Sequence, residues 1–249
     1  MVDIKKLNKI FTTKRIIFLL AFFVLVLIGK NINFSAVIGA ENQFFTLYQL
    51  FGPIAGAILG PVFGVITVAL SEIADFLLLG KELGLISVLR LTPMLFAAFY
   101  FGYKKRYFGA IVPVICVGLF IAHPVGRDAW LYSMYWLIPI LGAVLPRKVP
   151  GRLFFQSFGA TFTAHAVGSV LWLYSVPMGA GAWMGLIPVV AWERFLFGMG
   201  IVGSYLVFNT ALDYIDTKLK LNLPTKILFL DKKYNLVNLF NRLKMRLGL

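Results

Sequence analysis

Five side chains able to bind a ligand or move a proton stand inside long apolar runs of this sequence: Glu72, Asp75, Arg90, His165 and Glu193. An ionisable group in such a run is expensive to bury and faces a partner or a wet cavity. Glu72 and Asp75 are three apart and share one helical face. They accept from ligand N–H or O–H groups, or one of them closes a helix pair with Arg90. Arg90 offers a carboxylate or phosphate two parallel donors. His165 has small neighbours in Thr161, Thr163, Gly168 and Ser169, which let it line a cavity or sit as a satisfied core histidine. Glu193 is followed directly by Arg194. Adjacent helix positions point in different directions, which predicts separate roles, with Arg194 pairing helices or facing a water cavity. Further along, His123 reads as a cap before Pro124, and Arg127-Asp128 as a solvated loop pair.

Several chemistries find no support in the motifs. The sequence has no HExxH, no GxSxG and no GxxxxGK[ST] phosphate loop. Cys116 is its single cysteine and lies among apolar residues, which reads as a buried thiol and leaves no multi-cysteine metal site. An intramembrane enzyme would have to assemble His165, Glu193 and His123 from separate segments. No catalytic residue, metal site or cofactor is expected.

The elements that must position these residues are membrane helices. Of 249 residues, 60% are hydrophobic and 14% charged, against about a quarter charged in soluble domains. The apolar runs predict an all-α, polytopic helical bundle of about eight spans (six to eight), near 16–29, 42–58, 61–79, 85–103, 108–122, 131–146, 153–175 and 184–212. A break at Leu59-Gly60-Pro61 puts both termini and every basic loop on the cytoplasmic side. The cytoplasmic segments then hold nineteen of the 24 Lys and Arg: five before the first span, three at 104–106, three at 147–152 and eight after 212. The net charge of +14 is thus an orientation signal and a match to anionic lipid headgroups, with no nucleic-acid partner. Under this topology the intramembrane charges gather in the outer half.

Three parts follow: a basic N-terminus (1–15), the bundle (16–212) and a basic tail (213–249). Ile16–Gly29 has signal-peptide character, with a small-residue stretch near Ala36–Ala40, and is read as a retained first span. In the tail, Leu236, Leu239, Phe240, Leu243 and Leu247 recur at helical spacing among Lys and Arg, beyond a break at Pro224. That pattern predicts an amphipathic helix on the inner leaflet, or one docking a cytoplasmic partner. Trp130, Trp172 and Trp183 fall at predicted outer boundaries as an interfacial belt. Trp136 and Trp192 fall deeper, as core residues or stacking platforms.

Glycines punctuate the second span. Gly52-Pro53-Ile54-Ala55-Gly56 is followed by Gly60-Pro61-Val62-Phe63-Gly64, four glycines at spacing four that predict close backbone packing. The block Asn42–Arg106 resembles the membrane-embedded substrate-binding (S) components of energy-coupling-factor vitamin transporters. The shared parts are Leu59-Gly60-Pro61-Val62-Phe63-Gly64, acidic Glu72 and Asp75, the loop Gly80-Lys81-Glu82-Leu83-Gly84, and basic Lys104-Lys105-Arg106. His165, Gly168, Trp172, Pro188 and Glu193 resemble that family's last two helices more loosely. The family typically has six spans, so 108–146 would be an insertion. Its first helix often carries small residues spaced by four, where span one here has Ala21 and Gly29. Members carrying cobalt or nickel begin Met-His, and this sequence begins Met1-Val2.

The resemblance implies a non-enzymatic, multi-pass protein of the cell membrane that captures a small, vitamin-like metabolite in the outer half of its bundle. A transmembrane coupling subunit and separate ATPases would drive release. Glu72, Asp75, Arg90, His165 and Glu193 are the expected substrate-binding residues. The alternatives are a membrane sensor or assembly module packing through its glycine-rich helices, and an enzyme using His165 and Glu193.

Overall fold

The computed structural model describes residues 13–36, 44–78, 80, 84–103, 107–146, 148–218 and 229–247. The basic residues Lys5, Lys6, Lys9 and Lys104–Arg106, the stretch Val37–Ala40, the loop residues Lys81–Leu83 and the break at Pro224 lie outside the described residues. The described chain is mostly helical. It begins with α1 (Thr13–Lys30), and then, where one span over 42–58 is expected, forms an antiparallel hairpin of β1 (Asn33–Ala36) and β2 (Phe44–Thr46). A 3₁₀ turn, Leu47–Leu50, follows and leads into α2 (Ile54–Leu59). The all-α expectation therefore misses a small sheet. Phe44, Phe45 and Thr46 favour an extended chain, and Gly52-Pro53 delays the helix start.

The break at Gly60-Pro61 forms as its chemistry requires. Gly60 has φ +83°, a conformation that glycine adopts without steric cost, and Pro61 opens α3 (Pro61–Leu78) at a position where its missing N–H is no loss. The four glycines do not share one face, because Gly60 ends the helix. Instead α2 and α3 fold against each other. A Cβ on Gly64 would strike the Gly56 backbone, and one on Gly56 would strike the Ala98 carbonyl. Ala98 belongs to α5 (Pro93–Gly102), which follows the short α4 (Leu85–Leu89) after a break at Arg90–Thr92. Gly102 closes the same seam against the Gly56 carbonyl, so three backbones meet with no side chain between them.

The segment from 108 to 146 adds α6 (Ile111–Ala122), α7 (Pro124–Asp128), a 3₁₀ stretch Trp130–Trp136 and α8 (Leu137–Val144). The expected spans 108–122 and 131–146 coincide with the apolar helical runs Phe108–Ala122 and Trp130–Val144, each opening in a 3₁₀ turn. After them α9 (Arg152–Ser175) packs against α5, α6, α8 and α11. The expected last span, 184–212, falls on the single long helix α11 (Ile187–Lys218), preceded by the short α10 (Ala180–Gly185). In the tail, α12 (Leu236–Leu247) exposes Leu236, Val237, Phe240, Leu243 and Leu247 on its apolar face. It is tied to α11 by Asn235 donating to Asp213 Oδ2 at 2.7 Å and by the Leu236 amide donating to Thr210 at 2.9 Å.

Helix α3 is inverted relative to a water-soluble helix. Its inward stripe carries Thr67, Ser71, Glu72 and Asp75, while its outward stripe is Val62, Ile66, Leu70, Ile73 and Leu77, with Leu70 60% exposed. That arrangement suits a bundle solvated by lipid. Pro61–Leu78, the run Leu85–Gly102 and Ile187–Ile215 are long and apolar enough to cross a membrane.

Two packed clusters flank α9. The first gathers Phe22, Ile54, Ile58, Val68, Met94 and Ile201 around the glycine seam, and meets α9 through Ala160 and Ala164. The second gathers Phe120, Tyr132, Trp136, Trp183 and Val190, and meets α9 through Phe158, Phe162 and Val170. Cys116 is buried in the second cluster.

Candidate functional site

A cavity of about 170 Å³ opens between the two clusters, with the β-hairpin forming part of its wall. Four of the five residues singled out from the sequence reach it: Glu72 from α3, Arg90 at the α4–α5 break, His165 from α9 and Glu193 from α11. Each stands at a helix interior or break that the apolar pattern fixes. Glu72 is carried on the polar stripe of α3, and Arg90 is left where Pro93 forces α5 to restart.

Asp75 lies behind the wall. Its carboxylate accepts from Lys30 Nζ at 3.0 Å, and Lys30 also pairs with Glu72. A partner shared by both acids is thus the last residue of α1, and the alternative, in which one of them closes a helix pair with Arg90, does not form. Arg90 instead donates from Nη2 to the Phe44 carbonyl of β2 at 3.2 Å and makes no ion pair among the described residues. The geometry explains the exchange, since α1 ends beside the polar stripe of α3 while the break before α5 leaves Arg90 next to the hairpin.

Glu193 and Arg194 also depart from expectation, because both line this one cavity. Glu193 Oε1 accepts from the Ser35 hydroxyl at 2.6 Å, and Oε2 stands 3.7 Å from Arg194 Nη2. Their backbone directions differ by about 100°, but two long side chains reach across that arc. The Arg194 guanidinium lies 4.7 Å from the ring centres of both Phe45 and Phe197, and the residue is 1% exposed. Phe34 also packs on Phe197, at 5.1 Å, so the hairpin is held to α11 by rings and by the Ser35–Glu193 bond.

His165 reaches the cavity with its ring while both nitrogens are taken. Trp136 Nε1 donates to Nδ1 at 3.1 Å, and Tyr132 Oη lies 2.8 Å from Nε2. An indole nitrogen can only donate, so Nδ1 carries no proton. In the neutral ring Nε2–H then donates to Tyr132, whose hydroxyl lies 3.2 Å from Ser169 Oγ. This four-residue network orders the wall where the aromatic cluster meets α9.

Sequence reasoning missed Lys30, Ser35, Tyr132 and Trp183 as parts of the site or its support. A signal existed for Lys30, a lone cation ending an apolar run opposite two acids. Trp183 is buried inside the bundle at 1% exposure, and Trp192, expected as a core residue or stacking platform, is 63% exposed and stacks on Phe195. Trp130 is exposed and Trp136 fully buried. His123 ends α6 and packs edge-on against Tyr174, making no side-chain cap bond. Arg127 and Asp128 are exposed.

Comparison with known proteins adds a relative. The chain is 25% identical over 225 residues to an uncharacterized protein of Methanocaldococcus jannaschii, covering 82% of this chain and 75% of that one. No family model matches the chain, and no solved structure matches it.

Proposed function

We propose that this protein is a membrane-embedded capture component for a small, vitamin-like metabolite, in the manner of the S components whose Gly-Pro block it resembles. One observation carries the reading: an apolar bundle keeps a cavity of about 170 Å³ walled by Glu72, Arg90, Glu193 and Arg194. Charged residues are costly in such a bundle and are retained where a ligand or wet pathway uses them. Cavities of roughly 150 Å³ accept a benzene-sized guest, so the space suits a one-ring metabolite. Both His165 nitrogens are engaged by Trp136 and Tyr132, which fixes the ring as part of the wall.

In this reading the multi-pass bundle of about eight spans lies in the cell membrane with both termini in the cytoplasm. The hairpin end faces outward and admits the ligand, and a coupling subunit and separate ATPases power its release. The apolar, lysine- and arginine-bearing α12 rests on anionic lipid at the inner leaflet.

Native mass spectrometry of the tagged protein, gently extracted from its host membrane, tests the proposal. A retained small molecule or stoichiometric ATPase subunits is the expected result. A bare protein, or one holding only lipid or an unrelated membrane partner, overturns it in favour of a sensor or assembly module built on the glycine seam.

A further inference from the structure

The cavity wall is asymmetric in its hydrogen bonding. Its carboxylates and its imidazole acceptor are engaged: Glu72 by Lys30, Glu193 by the Ser35 hydroxyl, and His165 Nδ1 by Trp136. Its donors are not. Arg194 Nε and Nη2, Trp172 Nε1 and Trp183 Nε1 are buried with no hydrogen-bond partner. Arg90 adds a cation whose one hydrogen bond goes to a neutral carbonyl. A buried donor left unmade costs about 1–3 kcal/mol, more when charged, so a cluster of them marks a place where acceptors are to be supplied. Around these donors the wall is apolar and aromatic, with Trp172, Trp183, Pro93 and Val190.

From this we infer that the ligand is a small organic anion, a carboxylate on an apolar ring-sized body. Its carboxylate is held by Arg90 and Arg194, and its ring lies against Trp172 and Trp183. The inference rests on the capture reading and adds the chemical class of the ligand. Bidentate guanidinium–carboxylate pairing supplies the charge selection. The two wall carboxylates, Glu72 and Glu193, are matched in number by the two wall guanidiniums, Arg90 and Arg194, so the lining carries no net negative charge to repel an anion.

The test uses the full chain in nanodiscs, with radiolabelled benzoate as probe and its isosteres benzamide (neutral) and benzylamine (cationic) as competitors. Benzoate should bind saturably. Both isosteres should compete about tenfold to a hundredfold less well, the worth of a hydrogen bond to a charged group. Arg90→Gln and Arg194→Gln should each abolish that preference while leaving the helical circular dichroism unchanged. Equal competition by either isostere in the wild-type protein, or no saturable benzoate binding, overturns the inference without relying on any variant. The capture reading fails separately, when native mass spectra show neither a retained small molecule nor ATPase partners.

Discussion

The two sides of α9 solve the same packing problem with opposite materials. On one side, Gly56, Gly64 and Gly102 remove side chains so that α2, α3 and α5 touch backbone to backbone. On the other, Phe120, Tyr132, Trp136 and Trp183 fill the space between α6, α8 and α9 with rings set 5.0–6.3 Å apart. The polar groups differ likewise. The glycine side buries formal charges and sets one cation, Lys30, against two acids, Glu72 and Asp75, whereas the aromatic side buries a neutral relay through His165. A seam of backbones has little room to adjust, while a cluster of rings can shift, so the glycine side of α9 is the stiff one and the aromatic side the compliant one.

Breaking the ion triad should have the largest effect. Lys30→Met removes the cation that the two buried carboxylates share, and removing one partner of a buried pair costs about 3–5 kcal/mol. Thermal unfolding of the purified protein should show that loss, with partial recovery on adding Glu72→Gln. Next, Gly56→Ala should cost about 3 kcal/mol, the upper end of overpacking penalties, because its Cβ meets a carbonyl oxygen that cannot rotate away. A melting temperature unchanged by Gly56→Ala would remove the stiff side of the contrast.

On the aromatic side the effects should be milder. Trp136→Phe keeps most of the ring but deletes the donor to His165 Nδ1, for an expected loss of about 1–3 kcal/mol. If Trp136→Phe costs more than Gly56→Ala in the same unfolding assay, the assignment of stiff and compliant sides is reversed. The smallest effect is expected from Gly118→Ala on α6, where an added Cβ meets nothing within 4 Å. Stability there should hold or rise by up to about 1 kcal/mol, the helical preference of alanine over glycine.

Features set by one residue's own chemistry were legible before the fold was known. Gly60-Pro61 announces a break because glycine admits positive φ and proline cannot continue a helix. Glu72 and Asp75 announce an inward stripe because their spacing matches a helical turn. What depends on the approach of distant segments was not legible. Nothing local says that Lys30, 42 residues before Glu72, outcompetes Arg90 for it. The continuous helix expected over 42–58 does not form for a related reason: Phe44–Thr46 is as apolar as a helix, and its pairing with Asn33–Ala36 is a long-range fact that the run itself does not announce. Similarly, Glu193 and Arg194 were separated by a rule about backbone direction that ignores how far two long side chains reach.

The tail contributes more than a surface helix. The Phe229 amide donates to the Ile58 carbonyl at 2.7 Å, and the Phe229 ring occupies the space beside Gly60. Asn209 and Asp231 bracket the same segment with two bonds of 2.9 Å. A carbonyl near the end of α2, unsatisfied within its own short helix, therefore waits for a residue made 171 positions later. During synthesis the early helices reach their final state only after almost the whole chain has emerged. Completion of the C-terminus thus fastens the turn between α2 and α3 at Gly60.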